Sequence, residues 1–243
     1  MSMRICIGRH RRRAELVTAL PARALRTTTA QPVRQAFRLG ATRIPNEFYP
    51  TPPEATRALL SVEGFDGSIW EPACGEGAIA SVLAEAGHKV VATDLVDYGY
   101  GIPSVDFLKE TRPRAKHIVT NPPYGSGLAD AFIERSLSFA RETGGTVAML
   151  LNLSSLAHRT RTAWWRDHSP ARLYAIDDIV CWSEKQFGPP PSHFTKHRYF
   201  WAVWTPDHEG PSAFWWLSSA EFRQRQSVSR PSFSNPHHSR RDP

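Results

Sequence analysis

The chain has 243 residues, with 30 Lys and Arg against 23 Asp and Glu, a formal net charge of +7 and a sequence pI near 9.7. That length holds one ordinary domain with extensions, and the arginine-rich surplus favours a polyanionic partner, because a guanidinium pairs phosphate in a bidentate fork. Cys6, Cys74 and Cys181 are odd in number, widely spaced and free of any Cys-x-x-Cys pairing, which argues against a disulfide framework and a zinc module; no run of about 18 apolar residues is present, which argues against a membrane span.

Residues 1–45 form a basic arm. Arg11-Arg12-Arg13 lies there, and Glu15 is the single acid before Arg43. The composition predicts a disordered extension that binds nucleic acid, with a mitochondrial transit peptide as the alternative. It lacks the apolar centre of a secretory signal, so the protein is expected to be soluble and cytoplasmic. The catalytic domain is expected over 46–206, the usual size for one core, with a partly disordered extension over 207–243.

Thr51-Pro52-Pro53-Glu54 reads as a capping box with proline at the first helical position. Ser68 to Glu71 reads as a strand, followed by Pro72-Ala73-Cys74-Gly75-Glu76-Gly77 as a glycine-rich turn and a helix from Ala78 to Ala86. In that helix Ile79, Val82, Leu83 and Ala86 make one apolar stripe, and Gly87 stops it. Lys89 to Thr93 is the next strand, closed by Asp94. Glycines at 75 and 77 let the backbone approach a nucleotide, and the Asp94 carboxylate can accept bonds from ribose hydroxyls, so the unit is Rossmann-like βαβ. Asp106-Phe107 reads as the end of a short third strand, suited to an adenine amino group and ring face; its other reading is a helix cap.

His117 to Thr120 is a short buried strand that runs into Asn121-Pro122-Pro123-Tyr124. Prolines fix φ, lack N–H groups and restrict the residue before them, which leaves the Asn121 and Pro122 carbonyls outside ordinary helix pairing. An exocyclic amino group offers two donors. The Asn121 side-chain oxygen and the Pro122 carbonyl can receive them, while Tyr124 supplies a stacking face for a planar base. The competing reading is a proline turn that holds an aromatic.

Gly125-Ser126-Gly127 then precedes a helix over Leu128 to Arg141, with Phe132, Ile133 and Leu137 inward, and Gly144-Gly145 ends it. Thr146 to Leu151 reads as a central parallel strand with Asn152 to Ser155 at its carboxyl end. A helix over Leu156 to His168 follows, in which Trp164 and Trp165 read as core ahead of a nucleic-acid contact. Arg172 to Trp182 and Arg198 to Trp204 read as the last two strands. The loop between them offers Phe187 and Phe194 to hold an extruded base, with Lys185, Lys196 and Arg198 near phosphates; a solvated proline-rich hairpin is the alternative. His193 and His197 lack a third ligand, and no metal is assigned. Phe214 to Leu217 reads as a short helix, and disorder is expected beyond about residue 225.

Taken in order, Phe48-Tyr49-Pro50-Thr51-Pro52-Pro53, Glu71-Pro72-Ala73-Cys74-Gly75-Glu76-Gly77, Asp94, Asp106-Phe107 and Asn121-Pro122-Pro123-Tyr124 resemble the motifs of class I S-adenosylmethionine-dependent methyltransferases, and within them the adenine-N6 DNA methyltransferases with the γ motif order. The resemblance covers 46–205. It implies a mostly parallel seven-stranded sheet with an antiparallel last strand and helices on both faces. It implies S-adenosylmethionine as cofactor, held by Tyr49, Thr51, Pro52, Glu71, Ala73, Gly75, Gly77, Asp94, Asp106 and Phe107. It also implies catalysis by Asn121, Pro122 and Tyr124, with Pro123, Phe187, Phe194, Lys196 and Arg198 toward the substrate. Little chain remains for a separate target-recognition domain, which resembles the compact enzymes of phage and prophage genomes. Release-factor glutamine and RNA-base methyltransferases share the Asn-Pro-Pro-Tyr motif, so DNA stands ahead of RNA or protein as partner.

Two rivals come from other classes. Gly75-x-Gly77-x-x-Ala80 with Asp94 also fits a dinucleotide fingerprint, although Glu71 beside the turn opposes an anionic pyrophosphate. A nucleic-acid-binding protein without catalysis is the other. The oligomeric state is left open.

Overall fold

The computed structural model describes residues 49–157, 161–177, 179–183 and 198–223, all within the second of two compact units, Phe37–Pro243. The expected arm at 1–45, the late-loop residues Lys185, Phe187, Phe194 and Lys196, and the chain beyond 223 lie outside the described residues. Among the described residues no helix is long and apolar enough to cross a membrane.

Among the described residues seven strands form one sheet: β1 (Ile69–Glu71), β2 (Val90–Ala92), β3 (His117–Thr120), β4 (Val147–Asn152), β5 (Arg172–Ile176), β6 (Tyr199–Trp204) and β7 (Ala213–Leu217), in the order β2-β1-β3-β4-β6-β5-β7. All neighbours pair in parallel except β6, which is antiparallel to both β4 and β5. The helices are α1 (Pro53–Leu60), α2 (Ala78–Glu85), α3 (Leu128–Thr143) and α4 (Thr162–Asp167). This is the mostly parallel Rossmann-like α/β sheet expected, with six strands running one way and one against them.

The central strands are buried on both faces, as continuous apolar runs require. Successive side chains go to opposite faces. On β4, Ala148 and Leu150 join α1 residues Ala55, Ala58 and Leu59, while Val147, Met149 and Leu151 join α3 residues Phe132, Ile133 and Phe139. On β6, Tyr199, Trp201 and Val203 divide from Phe200, Ala202 and Trp204 in the same way. Each such fully buried large side chain contributes about 1.5–3 kcal/mol. Trp201 Nε1 also donates to the Ala55 carbonyl at 3.1 Å, which ties β6 to α1 with a satisfied buried donor. Between α3 and β4 the chain passes so close to the start of β3 that a Cβ on Gly145 would lie 1.7 Å from the Lys116 carbonyl oxygen.

Several element boundaries differ from expectation for local reasons. The third strand is reduced to one bridge, Thr93 to Ile102, and Asp106 instead starts a 3-10 turn, Phe107–Lys109, by accepting from the Leu108 amide. Of the helix expected over Leu156 to His168, the described residues show α4. Asn152 Oδ1 accepts from the Ser154 amide and hydroxyl, which winds Leu153–Ser155 into a 3-10 turn first. β5 stops at Ile176 because Asp177 turns its carboxylate to the Ser219 amide at 2.6 Å and the Ser218 hydroxyl at 3.0 Å. Phe214 to Leu217 is the edge strand β7 and not a helix: its aromatic residues favour extended backbone, and the free edge of β5 offers a ladder.

Candidate active site

β1, β2, β3 and β4 run parallel, so their carboxyl ends open on one edge of the sheet. β1 leads to β2 on one side and β3 lies on its other side, which makes the space above β1 and β3 the switch point where ligands of such sheets bind. Glu71 ends β1, Asp94 follows β2, Asn121 follows β3 and Asn152 ends β4. The register pairs Trp70 with Ile118, which sets Asn121 about two residues, or roughly 7 Å, farther along the edge than Glu71. The glycine turn and the Asn-Pro-Pro-Tyr segment therefore share one mouth.

The glycine turn is braced by carboxylates. Glu71 is 2% exposed, and its Oε2 accepts from the Ala80 amide at 2.7 Å, within the first turn of α2, whose N-cap is Gly77 and has no side chain to offer. An orphan helix amide is thus satisfied from the neighbouring strand. Burial, with the Asp94 charge beside it, pushes the Glu71 carboxyl well above the usual carboxylate range despite that amide. Asp94 spans two loops: Oδ2 accepts from the Gly75 amide at 2.8 Å and Oδ1 from the Val96 amide at 2.9 Å. Each oxygen keeps a lone pair for a further donor. Cys74 is buried in the turn, its thiol pushed up to about 12 mainly by burial, and is a packing residue. Ala73 is partly buried against the α3-side core.

Sequence reasoning explains Gly77 by approach of a nucleotide, but the chain itself makes that approach. Gly77 has φ +83°, and a Cβ there would lie 2.6 Å from the ring of Tyr100. The ring lies on the turn. The signal for it in the sequence is the glycine-spaced pair Tyr98-Gly99-Tyr100-Gly101 after Asp94. Phe107 also differs from its expected place. It is 2% exposed, with its centroid 5.0 Å from that of Trp70 and 4.7 Å from that of Phe132, so its ring belongs to the core and offers no open face. Asp106 stays at the surface as a cap, with Lys109 Nζ at 3.1 Å.

The Asn-Pro-Pro-Tyr segment is tied to the chain before α1. Asn121 Nδ2 donates to the Tyr49 carbonyl at 3.2 Å and to Thr51 Oγ1 at 3.1 Å. Thr51, 3% exposed, does not cap α1; the N-cap is Pro52, with Pro53 at the first helical position as expected. Tyr124 donates its hydroxyl toward Asn121 Oδ1 at 2.6 Å and toward the Leu150 carbonyl at 2.7 Å. Its ring packs against both core clusters, and burial holds the phenol far above its usual range. Tyr199 and Cys181 stand behind it, the thiol pushed up to about 12 by burial. Pro122 is buried and Pro123 half-buried.

Beside Tyr124 a cavity of about 30 Å³, lined also by Asp130, Asn152, Ser155 and Arg161, has room for a water and not for a base. Arg161 closes it: the guanidinium makes a fork to Asp130 at 2.7 and 2.8 Å and lies over Trp164 and Trp165, 4.6 and 5.3 Å from the ring centroids. The two tryptophans are half-buried and pack on the core. Of the residues expected to meet substrate in the late loop, only Arg198 is described. It is exposed at the start of β6, and its carbonyl accepts from the Leu153 amide at 2.7 Å, which places it on the edge that carries Asn121.

The glycine turn suits a ligand that brings hydroxyl donors, since Asp94 stands at it with a lone pair left on each oxygen; a pyrophosphate would face that carboxylate. No protein-family model matches the chain, and no curated protein matches it in sequence. Among solved structures it is similar to a proposed class I S-adenosylmethionine-dependent methyltransferase from Listeria monocytogenes, at 13% identity over 70% of this chain and a TM-score of 0.48. It is also similar to the modification subunit of a proposed type I restriction enzyme from Vibrio vulnificus, at 15% identity over 71% and a TM-score of 0.48. A third is a TehB-like S-adenosylmethionine-dependent methyltransferase from Corynebacterium glutamicum, at 18% identity over 63% of this chain and 87% of that one, with a TM-score of 0.41. The chain spans 65% and 47% of the first two.

Proposed function

We propose that this chain is an S-adenosylmethionine-dependent N-methyltransferase whose acceptor is an exocyclic amino nitrogen, adenine N6 in DNA first among the candidates. The observation that carries the reading is the Asn121 carboxamide, its nitrogen turned to Tyr49 and Thr51 and its oxygen toward Tyr124, on the same sheet edge as the carboxylate-braced glycine turn. When bound, S-adenosylmethionine supplies an electrophilic methyl group on a sulfonium. Asp94 would hold ribose hydroxyls, Asp106 the adenine amino group, and Glu71 with the backbone of Ala73 and Gly75 the body of the cofactor; Tyr49 and Pro52 would meet its methionine end.

The residues do their work by alignment. Asn121 Oδ1 and the Pro122 carbonyl accept the two amino hydrogens, which draws the nitrogen toward tetrahedral geometry and frees its lone pair. The proton lost from nitrogen after transfer goes to solvent, and no covalent enzyme intermediate forms. A base within a duplex cannot present that nitrogen, so it is extruded, with Tyr124 and Pro123 against it and Arg198 toward the backbone phosphates. The net charge of +7 favours a nucleic acid over a protein acceptor.

Purified protein incubated with tritiated methyl donor and, separately, DNA, RNA and protein, followed by identification of the methylated product, tests the reading. N6-methyladenine in the DNA arm is expected. A labelled RNA base or glutamine amide would move the substrate and keep the chemistry. Tight binding of a nicotinamide dinucleotide with none of S-adenosylmethionine in calorimetry would replace the proposal with a dehydrogenase.

A further inference from the structure

Both hydrogens of the Asn121 side-chain nitrogen are engaged, one by the Tyr49 carbonyl and one by Thr51 Oγ1. A main-chain carbonyl only accepts, so the atom that faces Tyr49 is the NH2 group, and the orientation of the carboxamide follows: Oδ1 points away, toward Tyr124. The Tyr124 phenol has one proton and two acceptors within reach, Asn121 Oδ1 at 2.6 Å and the Leu150 carbonyl at 2.7 Å. The cluster is one donor short. An N–H arriving at Oδ1 lets the phenol proton go wholly to Leu150, and every acceptor is then met. A carbonyl oxygen arriving at the same point would leave two acceptors face to face.

We propose that Thr51 is a positioning residue for recognition of the amino group: its hydroxyl, with the Tyr49 carbonyl, locks the Asn121 carboxamide so that only its oxygen meets the acceptor, which admits an exocyclic amine and turns away a keto base. The inference rests on the methyl-transfer reading and deepens it by naming what the site selects and which residue enforces it. Thr51 is nine-tenths buried or more, caps no helix and directs its hydroxyl at Asn121, so the residue that resemblance assigns to the cofactor is here committed to the catalytic amide.

Thr51→Val keeps the shape and removes the acceptor, and Thr51→Ser restores it. In the full chain, with DNA and tritiated methyl donor, Thr51→Val is expected to lower kcat roughly tenfold, the loss of about one hydrogen bond's worth of orientation, and Thr51→Ser to recover most of it. The dissociation constant for S-adenosylmethionine, measured by calorimetry, is expected to stay within about twofold, since a group that orients Asn121 does not hold the cofactor. Independently of turnover, the side-chain amide signal of Asn121, assigned by its loss in Asn121→Ala, is expected to shift in Thr51→Val and return in Thr51→Ser. A weakened cofactor constant with unchanged kcat would make Thr51 a cofactor contact and overturn the proposal. So would an amide signal indifferent to Thr51→Val, or a serine variant as slow as the valine. If the wild-type chain methylates nothing, the proposed function falls with the selection built on it, and the amide signal alone decides the lock.

Discussion

Glu71 and Ala80 are joined by a hydrogen bond of 2.7 Å that carries a strand-end carboxylate to the first turn of the following helix. The bond substitutes for the side-chain cap that Gly77 cannot provide, and it sits where burial disfavours the charged form.

A pH dependence follows from that raised value. In the unfolded chain Glu71 releases its proton near the ordinary 4.5, whereas in the folded chain it holds the proton to higher pH. Its contribution is therefore full below 4.5 and is lost as pH rises through the folded value. Thermal melts of wild type and Glu71→Gln across that range should diverge in favour of the glutamine variant as pH increases. Parallel curves would mean that Glu71 titrates normally.

Gly77→Ala should destabilise the fold by about 1–2 kcal/mol in chemical denaturation, from left-handed backbone alone, with more from collision with Tyr100. Adding Tyr100→Ala should recover the steric part and leave the backbone part. Strict additivity of the two changes would show that the ring and the turn do not touch.

Asp94→Ala removes the acceptor of the Gly75 and Val96 amides and the carboxylate assigned to ribose. Calorimetry should show affinity for S-adenosylmethionine reduced at least about tenfold, equivalent to about 1.4 kcal/mol. An unchanged dissociation constant would remove Asp94 from the cofactor site.

Asn121→Ala should abolish methyl transfer and leave cofactor binding nearly intact, as expected of a group that meets only the acceptor. Tyr124→Phe tests the neighbouring contact: it keeps the ring for stacking, loses the hydroxyl shared between Asn121 Oδ1 and the Leu150 carbonyl, leaves that carbonyl without its donor when the amine is bound, and should cost about tenfold in kcat. Wild-type rates in both would leave the amide without a catalytic part.

The layout of strands was legible because β3, β4 and β6 carry continuous apolar runs whose alternate residues feed two buried faces. Glu71, Asp94 and Asn121 were legible as strand-end polar residues beside glycine or proline. Contacts across long separations were not. Tyr100 on Gly77, Phe107 in the core and Thr51 on Asn121 depend on how loops settle on the finished sheet, and no local spacing encodes that. β7 was misread because a short aromatic run has no period that separates helix from strand; the open ladder of β5 decided it.

The partners of the Asn121 nitrogen come from positions 70 and 72 residues earlier, ahead of every strand in the sheet. A chain trimmed to begin at Pro53 would keep all seven strands and still lose both anchors, leaving that side chain free to rotate. Under the proposed function, discrimination between an amine and a carbonyl would be delivered by this entry segment, and deletions there would blur chemical choice before they weakened the architecture.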